Sequence, residues 1–575
     1  MYHDIIQLIN DGNFDLAEQR LQQEITAGGW HDETYILAAN IYMETGRLEQ
    51  AYDIISQGLK YNYQNYELYL LLGNYYKNIN INQAWLCYEN SEFYCDNDND
   101  REIILQFKKS LETSEAWNVK KTAIVILSYN SAPITKQCIA SIRENNLSSS
   151  YELIIVDNHS TDGIQEWLYE QTDIKLICNA ENKGFPYGCN QGIKIAEPDH
   201  DIFLLNNDTV VTPNAIFWLR MGLYAKDTVG AVGSITNYAE NGQKIDQTFE
   251  TVDEYIAFAQ KNNTPMKNAC EKKIFLIGFA LMLKRSVLDE IGLLDIRFSP
   301  GTFEDNDLGL RMNSAGYQMY LCHNSFIFHY GHGNGENFRI WNPIILSNKD
   351  TLTAKWKFEM DYYTYARTEL IELIEAPADE KISVLEVGCG LGVTLARIEY
   401  LWPRAEVKGI ELVERLVNIA SNYLDIIQGN AETMELPYDL KSFDYIILGD
   451  VLEHLYDPEK FLKRMIPYLK DDGAFLCSIP NFLHTSALLP LLQGKFDYED
   501  NSILDRTHLR FFTLESILKM LKRCGLKMEN LSGICTKTEN IDFIEEISKL
   551  SIPDLATTEQ FQVYQYIFKA KKLIP

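Results

Sequence analysis

Four short apolar runs between residues 122 and 209, each closing on polar residues, constrain this chain more than any other feature. They are TAIVILSYN (122–130), YELIIVDNHSTDG (151–163), IKLICNAENKGFPYGCNQGI (174–193) and DIFLLNNDT (201–209). Apolar strands alternating with helical stretches predict a parallel α/β sheet. Ligands of such a sheet bind beyond the carboxyl ends of its strands, where Ser128, Tyr129, Asn130, Asp157, Asn206, Asn207 and Asp208 gather.

The chain of 575 residues is too long for one core. Its first 110 or so residues repeat themselves. NDGNFDLAEQRL (10–21) aligns with ETGRLEQAYDII (44–55), placing Gly12 over Gly46 and Ala17 over Ala51 with a period of 34 residues. A weaker copy, NININQAWLCYE, puts Ala84 a further 33 residues on and lacks the turn glycine. Small residues where helices cross closely predict stacked helical hairpins. This pattern resembles tetratricopeptide repeats, and either holding a partner's peptide or covering a neighbouring domain fits such a stack.

With 52 basic against 81 acidic residues the formal charge is −29, which repels nucleic acid and anionic lipid. The eleven cysteines form no CxxC pair, as expected for reduced thiols. No basic segment precedes the first apolar residues, and the longest uncharged apolar run, 274–283, is half a bilayer span. The expectation is a soluble cytoplasmic protein that binds no nucleic acid and has no transmembrane segment, with peripheral membrane association left open. In so acidic a chain an anionic diphosphate needs a cation, because burying uncompensated charge is costly. Mg2+ or Mn2+ favours oxygen ligands and often uses one or two carboxylates beside the substrate's phosphates, a task for Asp208.

From about 120 to 360 the chain resembles family 2 glycosyltransferases of the GT-A fold, especially the rhamnosyltransferase-like branch. The resemblance rests on ILSYN followed by VDNHSTDG, the ENKGFPYGCNQG turn, LLNNDT in the place of a DxD motif, and FEDNDLGLRM followed by HYGHG. It implies a nucleoside diphosphate sugar held by Ser128, Tyr129, Asn130, Asp157, Asn182, Lys183, Gly184, Asn190, Asn206 and Asn207, with Asp157 reading the base. It implies further that Asp208 holds the metal with His329, His332 being the alternative, and that Asp305 of the Glu304–Asp305 pair is the catalytic base. The first acid of the DxD is here Asn206. Inverting transfer needs a base that deprotonates the acceptor hydroxyl. Crowding of Glu304, Asp305 and Asp307 is expected to lift their pKa values, although acids also simply favour a helix N-terminus.

After a helix and polar loop at 353–381 comes ISVLEVGCGLGVTLARI (382–398), an apolar strand with Glu386 and glycines 388, 390 and 392 opening a helix. Glycine removes side-chain bulk where a ligand lies against backbone. The strand EVKGIEL ends 25 residues after Glu386 in Glu411, placed to bond ribose hydroxyls. IIQGNAETMELPY, FDYIILGDVLEHLYDP and LKDDGAFLCSIPN continue a pattern similar to class I S-adenosylmethionine-dependent methyltransferases, with FQVYQYIFKAKK as the last antiparallel strand. That similarity implies Glu386, Gly388, Gly390 and Gly392 around the cofactor's amino acid part, Glu411 at the ribose, Asn430 and Ala431 by the adenine, and Asp450 ending the fourth strand. ILDRTHLRFFT (503–513) resembles a stretch of glycan-cluster methyltransferases, making Asp505, His508 and Arg510 candidates for acceptor contacts. His454 or His508 would serve as the base of O-methylation, unless proximity alone suffices.

The expected architecture is a multidomain α plus α/β chain: tetratricopeptide-like repeats over 1–115, a GT-A glycosyltransferase domain over 120–360 and a Rossmann-like methyltransferase domain over 361–575. The expected function is inverting sugar transfer from a nucleoside diphosphate sugar, with S-adenosylmethionine-dependent methylation, in bacterial surface polysaccharide or flagellin glycan synthesis. A glycan or protein acceptor held by the repeats is the expected partner. The rivals are a glycosyltransferase with a methyltransferase-like domain that does not turn over, and a repeat-based scaffold.

Overall fold

The computed structural model of the chain describes residues 2–239, 241–331, 338–500, 502–535, 541–549 and 556–573. His332 lies outside the described residues. The chain divides into two compact units, Met1–Met360 and Asp361–Pro575.

The first unit opens with helices α1 (His3–Asn10), α2 (Phe14–Gly28), α3 (Asp32–Glu44), α4 (Leu48–Tyr61), α5 (Tyr66–Tyr76), α6 (Ile81–Tyr94) and α7 (Asp98–Glu112). α1 packs on α2, α3 on α4 and α5 on α6. Gly12 and Gly46 turn the first two hairpins at φ 75° and 71°, a conformation that favours glycine. In the third hairpin Asn80 caps α6 instead, its side chain accepting from the Gln83 N–H. Ala17, Ala51 and Ala84 are all fully buried.

These helices share one apolar core with the sheet that follows, in which Ile55, Leu68 and Tyr69 join Ile124 and Phe217. The helix Ala215–Leu223 lies between them and is buried at all nine positions. Polar contacts tie the seam: Asn80 donates to the Tyr224 carbonyl and Gln83 to the Met221 carbonyl, each at 2.9 Å, and Arg220 pairs with Glu89. The apolar face of the helical stack is thus used inside its own unit.

The sheet comprises β1 (Thr122–Ser128), β2 (Tyr151–Asp157), β3 (Ile174–Cys178), β4 (Asp201–Asn206), β5 (Thr209–Val211), β6 (Val229–Ile235), β7 (Cys270–Lys273), β8 (Ala280–Leu283) and β9 (Gln318–His329). Their order is β3-β2-β1-β4-β8-β6-β9-β5, with β7 paired to β9. β1 runs parallel to β2 and β4, in a register that sets Ser128 opposite Asp157 and Leu127 opposite Asn206.

The second unit contains β10 (Ser383–Val387), β11 (Glu406–Glu411), β12 (Ile426–Gln428), β13 (Phe443–Gly449), β14 (Leu469–Pro480), β15 (Leu526–Cys535) and β16 (Val563–Lys572). The order is β12-β11-β10-β13-β14-β16-β15. The first five strands are parallel and β16 runs antiparallel between β14 and β15, so the final apolar segment becomes an interior strand. The fold classes are those expected: helical N-terminus, GT-A-like α/β sheet and Rossmann-like α/β sheet. Among the described residues no helix is long and apolar enough to cross a membrane.

Candidate functional sites

The carboxyl edge of the first sheet is organised around buried polar side chains. Asp157 is fully buried. Its Oδ2 accepts from the Ser160 N–H at 2.9 Å and from Gln165 Nε2 at 2.5 Å, while Oδ1 has no hydrogen-bond partner. A buried acceptor left unmade costs about 1–3 kcal/mol, so this oxygen suits a ligand N–H. Ser128 is buried under the edge, Tyr129 is exposed, and Asn130 accepts from the Thr161 N–H at 2.8 Å. Asn158, which the sequence reading passed over, donates to Asn182 Oδ1 at 2.8 Å and accepts from Asn179 Nδ2 at 3.0 Å and the Lys183 N–H at 3.2 Å. It therefore shapes the turn from 179 to 184. Gly184 (φ 84°) closes that turn where an added Cβ would lie 2.6 Å from Pro300 Cα, so no larger residue fits. Asn190 stands apart, in a reciprocal pair with the Leu294 backbone that anchors its helix.

Beyond β4 the chain turns through Asn206, Asn207 and Asp208. Thr209 Oγ1 bonds the Asn206 carbonyl at 2.8 Å and Asn207 donates to Thr135 Oγ1 at 2.9 Å. β5 then pairs antiparallel with β9, setting Thr209 opposite His329. This brings His329 Nε2 within 3.2 Å of Asp208 Oδ1. His329 Nδ1 lies 2.9 Å from the Tyr238 carbonyl, an acceptor, so Nδ1 carries a proton and Nε2 is the nitrogen turned toward the carboxylate. Two facing acceptors are stable only around a shared proton or cation, and a divalent metal fits this donor pair. The Phe279 ring stacks on the imidazole at 5.0 Å and Asn237 bonds its backbone on both sides.

The acid pair begins the helix Glu304–Ser314 after Thr302 and Phe303, which hold φ of 80° and 68°. Left-handed non-glycine residues store strain and persist where surroundings impose them. Here Asn348 fastens the loop by donating to the Phe298 and Gly301 carbonyls, each at 2.8 Å. Asp305 accepts from the Gly278 N–H at 3.0 Å and the Asn306 N–H at 2.8 Å, and burial raises its pKa. Glu304 Oε2 is buried without a partner, and burial followed by the charge of Asp305 lifts that carboxyl to about 8. Asp307 does not join this crowding as expected. It is buried against Arg311 at 2.8 Å, Lys355 at 2.5 Å and the Trp356 indole at 3.0 Å, because its helical position points back into the packed side. Gly278 and Phe279 link the two groups: the first bonds Asp305, and the second stacks on His329 and accepts from the Asn206 N–H at 2.8 Å.

In the second unit Gly388, Gly390 and Gly392 all adopt positive φ between β10 and the next helix. At Gly390 a Cβ would meet Tyr363 at 2.7 Å, and its N–H donates to Glu411 Oε2 at 2.8 Å. Glu411 Oε1 accepts from the Val413 N–H at 2.8 Å, which fixes the carboxylate at the end of β11. Glu386 is buried with Oε2 unpartnered, and burial raises it to about 8 against the lowering pull of Thr394 and Arg367. The orphaned oxygen and the side-chain-free glycine turn suit a cationic amino acid moiety. Asp450 (φ 54°) follows β13 directly and accepts from Arg367 at 2.8 Å, from Ser478 Oγ at 2.9 Å and from Gln565. Asn430 Oδ1 caps the next turn through the Glu432 N–H at 2.9 Å, and Ala431 is nearly buried beside it. Arg367 carried no sequence signal, being isolated between two short helices.

His454 and His508 are brought together, their rings 4.8 Å apart. Burial, then the neighbouring His508, lowers the pKa of His454. Asp505 and Arg510 bond within their own loop or to nearby backbone, to Thr507 and to the Leu509 carbonyl at 2.8 Å respectively. Asp505 thus shapes its own loop, whereas Arg510 also donates to the Tyr456 carbonyl outside it.

Residues 123–292 match a family model described as Glycosyl transferase family 2, and residues 360–531 match one described as Methyltransferase domain. The chain is 24% identical over 291 residues to an uncharacterized glycosyltransferase, YfnE, of Bacillus subtilis (strain 168), across 43% of this chain and 72% of that protein. It is 26% identical over 203 residues to a demethylmenaquinone methyltransferase of Bacillus licheniformis, across 32% of this chain and 85% of that protein. A solved mannosyltransferase, PcManGT from Pyrobaculum calidifontis in complex with GDP-Man and Mn2+, aligns at 14% identity with a TM-score of 0.32, over 56% of this chain and 84% of that one. The chain carries a glycosyltransferase domain and a methyltransferase domain.

Proposed function

We propose that this chain, with one glycosyltransferase and one methyltransferase domain, transfers a sugar from a nucleoside diphosphate donor with inversion and methylates the resulting glycan on oxygen. The observation that supports it best is the Gly278–Phe279 segment, which sets Asp305, His329, Asn206 and, through His329, Asp208 around one end of the sheet. Asp157 would take the base, Asp208 and His329 the Mg2+ or Mn2+ that neutralises the diphosphate. Asp305, with its pKa raised, accepts the acceptor's hydroxyl proton as the new C–O bond forms opposite the departing diphosphate. In the second unit Glu386 and the glycine turn would hold the amino acid part of S-adenosylmethionine and Glu411 its ribose, with the acceptor presented toward His454 and His508.

Covalent linkage of the two domains raises the local concentration of a transferred sugar at the second site, which favours methylation after transfer. A surface polysaccharide or a flagellin-like protein glycan, made in the cytoplasm, is the product class this reading points to, with the tetratricopeptide-like repeats as a place for a polypeptide acceptor. Mass spectrometry of products from the purified chain given UDP-, GDP- and dTDP-sugars, S-adenosylmethionine and host lysate tests it. The expected product carries one added sugar and, only with S-adenosylmethionine, one added methyl; methylation without any sugar transfer would overturn the coupling.

A further inference from the structure

Glu453, His454 and His508 form a cluster that neither cofactor described above occupies. The short 3-10 turn Leu452–His454 follows β13, and the 503–513 loop is fastened to it where the Leu509 and Arg510 N–H groups both donate to the Glu453 carbonyl, at 2.8 and 3.0 Å. Three donor atoms, a carboxylate oxygen and one nitrogen from each imidazole, lie within 4.8 Å of one another. Tetrahedral coordination at about 2.1 Å places donors roughly 3.4 Å apart, a separation that small side-chain rotations reach.

Two independent features make this a site and not a chance meeting. The Glu453 side chain is 1% exposed and neither carboxyl oxygen has a hydrogen-bond partner. An acid buried in that way keeps its proton unless a cation displaces it, and a bound dication would leave the carboxylate paired. The second feature is the orientation of the histidines. His454 Nδ1 lies 3.2 Å from the Thr507 carbonyl and His508 Nδ1 lies 2.9 Å from the Ile503 carbonyl. A carbonyl only accepts, so both Nδ1 atoms carry hydrogen, and in each neutral ring Nε2 is the nitrogen left with a lone pair for a metal. Donation of the far ring nitrogen to a backbone carbonyl is how metal-bound histidines are oriented.

We propose that Glu453, His454 and His508 bind one transition-metal dication of the zinc class. Two imidazoles with one carboxylate disfavour Mg2+ and Ca2+, which prefer all-oxygen shells, and three protein ligands leave a fourth position for water or an acceptor oxygen. The site is separate from Asp208 and His329, which belong to the first unit.

The test uses the full chain stripped with a chelator, re-equilibrated with Zn2+, desalted and assayed for zinc by elemental mass spectrometry. Wild type should retain one zinc more per chain than Glu453→Gln and than His508→Gln, with binding at least about tenfold weaker in either variant. Equal zinc in all three chains would overturn the proposal. Replacement by Co2+ gives a readout free of substitutions: an intense visible band of a low-coordinate nitrogen and oxygen site is expected, and the weak spectrum of hydrated Co2+ would also overturn it. Stabilisation by S-adenosylmethionine, measured by thermal shift, reports that each variant is folded.

Discussion

Each unit buries a glutamate whose carboxyl is lifted to about 8, Glu304 in the first and Glu386 in the second, yet their neighbours differ. Glu304 adjoins Asp305, a second acid, so the pair resists full ionisation and keeps proton-accepting capacity near neutral pH. Glu386 is raised by burial against the lowering pull of Thr394 and Arg367, with Glu411 adding only the last and smallest push. The same shift thus serves different ends. Beside an acid it keeps a proton exchangeable near neutral pH; beside the glycine turn it leaves Glu386 neutral until a cationic ligand draws the proton off.

The comparison breaks most sharply at Asp305. Asp305→Asn should lower the rate of sugar transfer by about 10³-fold, within the usual worth of a positioned base, while leaving methyl transfer intact. Product formation followed separately for each reaction decides it, and less than a tenfold loss would remove Asp305 as the base. A smaller effect is expected one step away from the chemistry. Asp208→Asn should weaken Mn2+-dependent binding of a nucleoside diphosphate roughly 10–100-fold and leave S-adenosylmethionine binding unchanged, as titration calorimetry would read. Loss of both affinities would mean that the substitution unfolds the chain.

The smallest effect concerns stability. Between its ordinary 4.5 and about 8, folded Glu386 holds a proton that the unfolded chain has released, so the stability it contributes falls as pH rises through that window. Thermal unfolding of the ligand-free chain at pH 5.5 and 8.5 should show a decline that Glu386→Gln reduces by roughly a few degrees. An unchanged pH dependence would mean that Glu386 is ionised throughout.

Much of the fold was legible because strand ends announce themselves. Apolar runs stop at Ser128, Asp157, Asn206 and Glu411, and those residues do end β1, β2, β4 and β11. Periodicity also located the helical hairpins, since Gly12 and Gly46 stand at turns that need left-handed backbone. The crowding expected of Asp307 failed for a tertiary reason: Lys355 and Trp356, far along the chain, neutralise and bond it.

By itself the sequence determined the element types, their order and the polar residues at the sheet edges, because these follow from local apolar patterning and backbone preference. Only the tertiary structure decided which of those residues come close enough to share a proton or a cation. The pairing of β5 with β9 sets His329 against Asp208, the loop at 503–513 brings His508 to Glu453, and Arg367 reaches Asp450 from a segment without any motif. Such partners come from distant segments, and their electrostatics depend on burial and on distances of a few ångströms that no spacing in the chain encodes.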